Sequence, residues 1–169
     1  MRLFIAFLFL IMNIFSPYAV NAEVLKGGIS AVDMIPDEFY GTWSVISTRI
    51  ETNNESFFKE RTSDIWILQR AGNAITLTNP ATLATSTISV DEVENNTAKF
   101  SRVSKNKYED ETEHVTITLN DNTFIGEDTL EMKKFSIDNK LIEHNVVKYR
   151  LEGKKISGRN AILYKMIRE

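Results

Sequence analysis

HVTITL, residues 114–119, is the stretch that decides the fold. Val115, Ile117 and Leu119 alternate with Thr116 and Thr118, so an extended chain puts three aliphatics on one side and two hydroxyls on the other. A helix would scatter the same residues around its axis, whereas a strand with one wet face sorts them cleanly. Immediately after it stands Asn120-Asp121-Asn122, a run of residues that form side-chain turns and tolerate a left-handed backbone.

Working outward, the same unit recurs. Two-residue spacing appears at Ile75 and Leu77, Ile88 and Val90, Ala98 and Phe100, Leu130 and Met132, and Val147, Tyr149 and Leu151. Turn signals separate these runs at Arg70-Ala71-Gly72-Asn73, Asn79-Pro80, Glu94-Asn95-Asn96, Asp138-Asn139, Glu152-Gly153-Lys154 and Gly158-Arg159-Asn160. Gly126, inside TFIGED, reads as a bulge or bend. Two stretches interrupt the hairpin rhythm, Thr52 to Ser63 and Ser104 to Glu111, and the first holds a helix-like piece, NESFFKER.

The runs predict an all-β domain of about eight to ten antiparallel strands joined mostly by hairpins. Such a meander leaves two exposed edges unless it closes on itself, which predicts an up-and-down barrel. In that closure the first strand, GTWSVISTRI, pairs with the last, NAILYKMI. Ile65-Trp66-Ile67-Leu68 and Ala161-Ile162-Leu163-Tyr164 are apolar on both faces and need cover from outside the sheet.

Ahead of the first strand stands IPDEFYGTWSV, residues 35–45, in which Pro36 to Tyr40 forms a short helical turn and Gly41-Thr42-Trp43 opens the strand. This stretch resembles the start of the calycin superfamily, which includes lipocalins and fatty-acid-binding proteins. The resemblance implies that the turn closes one end of the barrel, that Gly41 permits a tight turn into the strand, and that Trp43 plugs the closed end beneath an arginine from the last strand. Arg168 is the natural partner and Arg159 the second choice. A cation over an indole face contributes about 0.5 to 2 kcal/mol. The lipocalin step Thr-Asp-Tyr is missing from the middle of the chain, which marks an outlier.

The N-terminus carries an address. Residues 1–22 hold Arg2 as their sole charge, an apolar run, and small residues around Val20 and Ala22, the layout of a secretory signal peptide. The uninterrupted apolar run from Leu3 to Met12 is short of the roughly 20 residues that span a bilayer, so no stable membrane insertion is expected once the signal is cleaved. With no cysteine in the chain, an N-terminal lipid anchor on that residue is ruled out and disulfides cannot reinforce the core. A secreted or periplasmic protein follows, with a flexible leader at residues 23–34 and one barrel domain at 35–169. The whole chain carries net charge −3, and losing Arg2 makes the remainder one unit more acidic, which argues against nucleic acid as a partner. Two glycosylation sequons, Asn54-Glu55-Ser56 and Asn95-Asn96-Thr97, are short patterns that arise readily by chance.

Function reads as binding without catalysis. No GxSxG elbow, glycine-rich phosphate loop or cysteine nucleophile is present, and His114 and His144 lack metal-ligand spacing, so neither a cofactor nor a metal is expected. The acidic run from Tyr108 to His114 lacks the glycine turn and oxygen spacing of a calcium loop and reads as a solvated approach to a strand. Candidate ligand contacts are Trp66, Phe57, Phe58 and Tyr149. Trp66 either lines a cavity or belongs to the core, and the two phenylalanines either form a hydrophobic mouth or cover the core. The leading expectation is a small hydrophobic or amphipathic ligand inside the barrel. The rivals are a filled barrel acting on a protein partner, as a periplasmic protease inhibitor does, and a structural envelope protein.

Overall fold

A computed structural model describes residues 30–158. Two single 3₁₀ turns, Ala31–Met34 and Asp37–Phe39, lead into eight strands: β1 Gly41–Thr52, β2 Arg61–Ala71, β3 Ala74–Asn79, β4 Ala84–Glu94, β5 Thr97–Lys105, β6 Glu109–Asn120, β7 Thr123–Phe135 and β8 Leu141–Ser157. Each strand pairs antiparallel with the next and β8 returns to β1, so the sheet closes as an up-and-down barrel. The expected range of strands thus resolves to eight.

Four of the turns fall where a glycine or a small polar residue takes a left-handed backbone, while the β3–β4 turn places Leu83 there at φ +58°. Gly72, Asn95, Asp121 and Asn139 stand at φ of +63°, +51°, +52° and +58°. Glu152-Gly153-Lys154, expected as a turn, lies instead within β8, which runs through it in register with β7 and β1. Gly153 is there for packing: a Cβ on it would sit 2.1 Å from the Phe124 ring. Gly126 is likewise not a bulge, since β7 keeps register on both sides of it; a Cβ there would approach the Thr116 carbonyl oxygen to 2.2 Å. Register shifts occur elsewhere, between Arg49 and Glu51 and between Val90 and Glu92 among other places.

Closure departs from expectation in which strand meets β1. The partner is β8, with Val45 opposite Gly153 and Ser47 opposite Leu151. NAILYKMI lies outside the described residues. The excursion expected from Ser104 to Glu111 shrinks to residues 106–108, because β5 and β6 continue into it. NESFFKER forms no helix; residues 53–60 are an irregular loop in which the Phe57 and Phe58 amides both donate to the Asn54 carbonyl.

Alternation sorts the residues as read. Ile117 and Leu119 are buried with Ala98, Phe100, Ile75, Val147 and Leu151, whereas Thr118, His114 and Arg150 face water. Apolar inside and polar outside is the reverse of the lipid-facing pattern of a transmembrane barrel. The outer faces of β1 and β2 are an exception, where Thr42 and Ile67 are nearly fully buried.

Candidate binding site in the barrel lumen

The lower end of the barrel is sealed. Gly41 stands at φ +135°, and a Cβ on it would come within 2.6 Å of the Ser157 carbonyl oxygen, so the chain enters β1 by a path only glycine takes comfortably. Trp43 follows, 1% exposed, its indole Nε1 donating to the Phe39 carbonyl at 3.0 Å and its ring 5.1 Å from that of Phe124. Phe39 meets Phe100 edge to face at 6.2 Å. The cation over the indole is Lys155 of β8, with Nζ 5.2 Å from the ring centroid and also donating to the Glu38 carbonyl. Arg168 and Arg159 lie outside the described residues. Val32 and Ile35 join this core, and Asp33 pairs with Arg70, so the folded part reaches back into the stretch read as leader.

Above this floor the lumen is only partly filled. Trp66, Leu77, Ile88 and Val115 face inward yet remain half-buried, because a small cavity separates them. Its walls come from β2 to β6 and include Trp66, Leu68, Leu77, Ile88, Phe100 and Ile117. The cavity opens to solvent, and the atom-free space within it and its mouth is about 380 Å³. A space of that size, open at its mouth, suits a short apolar chain.

Charge enters on the same wall. Arg102 and Glu113 line the cavity beside the apolar residues. The Arg102 Nε donates to Glu113 at 2.8 Å, and an Nη donates to Glu111. Burial works against the guanidinium's charge, but the two carboxylates more than offset it and hold Arg102 above its ordinary pKa. Asp128 of β7 faces the same interior, opposite Val115 and Tyr149 in the ladder. Its Oδ1 is buried with no hydrogen-bond partner. Burial first, and the Glu113 charge second, push its pKa up from 3.8 to about 7, with Arg102 opposing. Among the described residues no His, Asp and Glu group converges as a metal cage.

The loop between β1 and β2 folds over the upper end. The Asn53 side chain bridges to β8 twice, donating from Nδ2 to the His144 carbonyl at 2.9 Å and accepting from the Val146 amide at 2.8 Å. Asn54 adds a bond to the Asn145 side chain at 3.0 Å. The Arg49 Nη1 holds the Phe58 carbonyl at 2.6 Å, and the Tyr149 hydroxyl donates to the Lys59 carbonyl at 3.1 Å. Phe58 is thereby buried in the core cluster.

Of the four expected ligand contacts, Trp66 alone lines the cavity. Its ring stacks at 27° and 6.2 Å on Phe124. Tyr149 faces inward beneath the loop, where burial raises the pKa of its phenol. Phe58 covers the core, while Phe57 is half-exposed with Lys134 Nζ 5.7 Å from its ring. The acidic run requires correction: Glu111 and Glu113 are half-buried inside the barrel and paired with Arg102, not solvated. They occupy the inward positions of a strand whose next inward residues are Val115, Ile117 and Leu119, so the same period that reveals the strand also points them at the lumen. Arg102, after Ala98 and Phe100, and Asp128, before Leu130 and Met132, were missed for the same reason.

Compared with family models, curated proteins and solved structures, the chain matches none, and the barrel rests on its own strand order and register.

Proposed function

We propose that this is a secreted or periplasmic, calycin-like, non-enzymatic binding protein that holds a small hydrophobic or amphipathic molecule in its lumen. The observation that carries this reading is the row of inward-facing yet half-buried apolar side chains, Trp66, Leu77, Ile88 and Val115, around a cavity above a sealed floor. Affinity would come from removing those surfaces from water at about 25 cal/mol per Å², with a few polar groups orienting the ligand. Export rests on the signal-like layout of residues 1–22.

The test is a titration with neutral 1-hexanol while tryptophan emission is recorded. Trp66 emission should change, Trp66→Phe should silence the response, and Leu77→Trp, by filling the cavity, should abolish binding. Unchanged emission together with no calorimetric heat would reject the reading.

A second reading gains support from the loops at the open end, where Leu83 and Ile137 are each 81% exposed and Phe57, Tyr108 and Ile142 are also exposed. Such a rim suits contact with another protein. If this reading holds, charged substitutions at Ile137 and Leu83 abolish a protein interaction while hexanol binding, if any, is untouched.

A further inference from the structure

The polar groups on the cavity wall carry a sign. Arg102 from β5 has Glu113 on one side and Glu111 on the other, both from β6, so its single positive charge is already matched by two carboxylates. Asp128 adds a third carboxylate to the same interior, diagonal to Glu113 across the β6–β7 ladder, with one oxygen buried and unpartnered. Within this layer, among the described residues, three acids therefore face one arginine. The other inward cations are engaged elsewhere: Arg49 binds loop carbonyls and Lys134 pairs with Glu143 near the rim. This cluster is not a free-standing acidic patch, since Arg102 and Glu113 are themselves part of the wall that encloses the apolar space.

A ligand that brought a carboxylate here would add a further anion to a layer in which Glu111 and Glu113 already outnumber Arg102. A ligand that brought an N–H cation would do the opposite, giving the Asp128 oxygen a donor and offsetting the excess negative charge in a partly dry site. We propose that the lumen takes a small amphiphile bearing a protonated amine, its short apolar part against Trp66, Leu77 and Ile88 and its ammonium between Glu113 and Asp128. This rests on the ligand-binding reading above and narrows it, excluding free fatty acids as the preferred class.

Three ligands of equal chain length separate the possibilities: n-hexylamine as its hydrochloride, 1-hexanol and sodium hexanoate, each titrated into the full chain at neutral pH by calorimetry. The amine should bind about tenfold tighter than the alcohol, a ratio in keeping with one hydrogen bond to a charged group, and hexanoate should bind weakest. Glu113→Gln should bring the amine down toward the alcohol's affinity and leave the alcohol within about twofold. Asp128→Asn, which keeps the shape, supplies the same reading if Glu113→Gln fails to fold. An alcohol or carboxylate that binds as tightly as the amine overturns the amine inference and leaves the cavity reading standing. If none of the three binds, the cavity reading fails and takes this inference with it.

Discussion

The floor and the upper lumen are built from the same strands with the same two-residue alternation, yet they end in opposite states. At the floor the inward positions are mostly apolar and closely packed: Trp43 has its indole donor satisfied and lies against Phe124, Phe39 meets Phe100 edge to face, and Gly153 leaves room for the Phe124 ring. At the next inward positions beyond Phe100 and Val115, β5 and β6 present Arg102 and Glu113, β7 presents Asp128 beside Val115, and a gap opens there. The difference teaches that closure and occupancy are separate matters. Backbone pairing closes the cylinder all the way up, while side-chain volume fills only its lower part.

Breaking the floor should cost the most. Trp43→Ala removes a nearly fully buried aromatic and is expected to destabilise by about 3 to 5 kcal/mol, measured by urea denaturation. A near-neutral result would show that the floor is not what holds the closed end. Next comes Gly153→Val, which drives a branched side chain into the Phe124 ring and should cost about 3 kcal/mol, the upper end of overpacking penalties. If Gly153→Val were tolerated, Phe124 would have room to move and the contrast between a dense floor and a loose lumen would weaken.

The floor was the more legible region. Period two in residues such as Val115, Ile117 and Leu119 marks the strands and Asn-rich corners mark most of the turns, because each signal is local, whereas the expectation of a plug at Trp43 comes only from the resemblance of residues 35–45 to the start of the calycins. Gly153 misled as a turn former, since nothing nearby in sequence announces that Phe124, on another strand, needs its space. The lumen was less legible for a different reason. Glu111 and Glu113 were read by charge when their phase mattered more, and Asp128 drew no reading at all: each keeps the inward register of aliphatic neighbours, where a charge is costly unless it finds a partner such as Arg102. The gap itself could not be read at all, because volume is a property of the assembled layer. Nor does any local signal identify β8 as the strand that meets β1.

Arg102→Met sharpens the comparison from the lumen side. It keeps an apolar stem but leaves Glu111 and Glu113 half-buried and uncompensated, so a loss of about 2 kcal/mol is expected, less than for a fully buried pair because water reaches the site. Adding Glu113→Gln to Arg102→Met should recover part of that loss. If Arg102→Met alone is neutral, the cluster behaves as a surface ion pair and the upper lumen is wetter than its geometry indicates.

The smallest effect concerns Asp128 and appears as a slope with pH. Glu113 from β6, Arg102 from β5 and Tyr149 from β8 surround it, and burial leads the rise of its folded pKa to about 7. Between the unfolded carboxyl range near about 4 and that value, the folded state keeps a proton the unfolded state has lost, so stability falls as pH rises through this window and levels off above it. The carboxylates of Glu131, beside Lys133 and His144, and Glu143, beside Lys134, are shifted the other way. Their contribution is lost only as pH falls below the ordinary carboxylate range, so the two effects occupy different windows. Asp128→Asn should therefore flatten the fall between about pH 4 and pH 7, by up to about 1.4 kcal/mol for each pH unit, and leave the acid limb below that window unchanged, as read from melting temperatures of both proteins across that range. Parallel curves would mean that Asp128 ionises as freely as a surface carboxyl, and the upper lumen would then be an open vestibule that differs from the floor in composition but not in access to water.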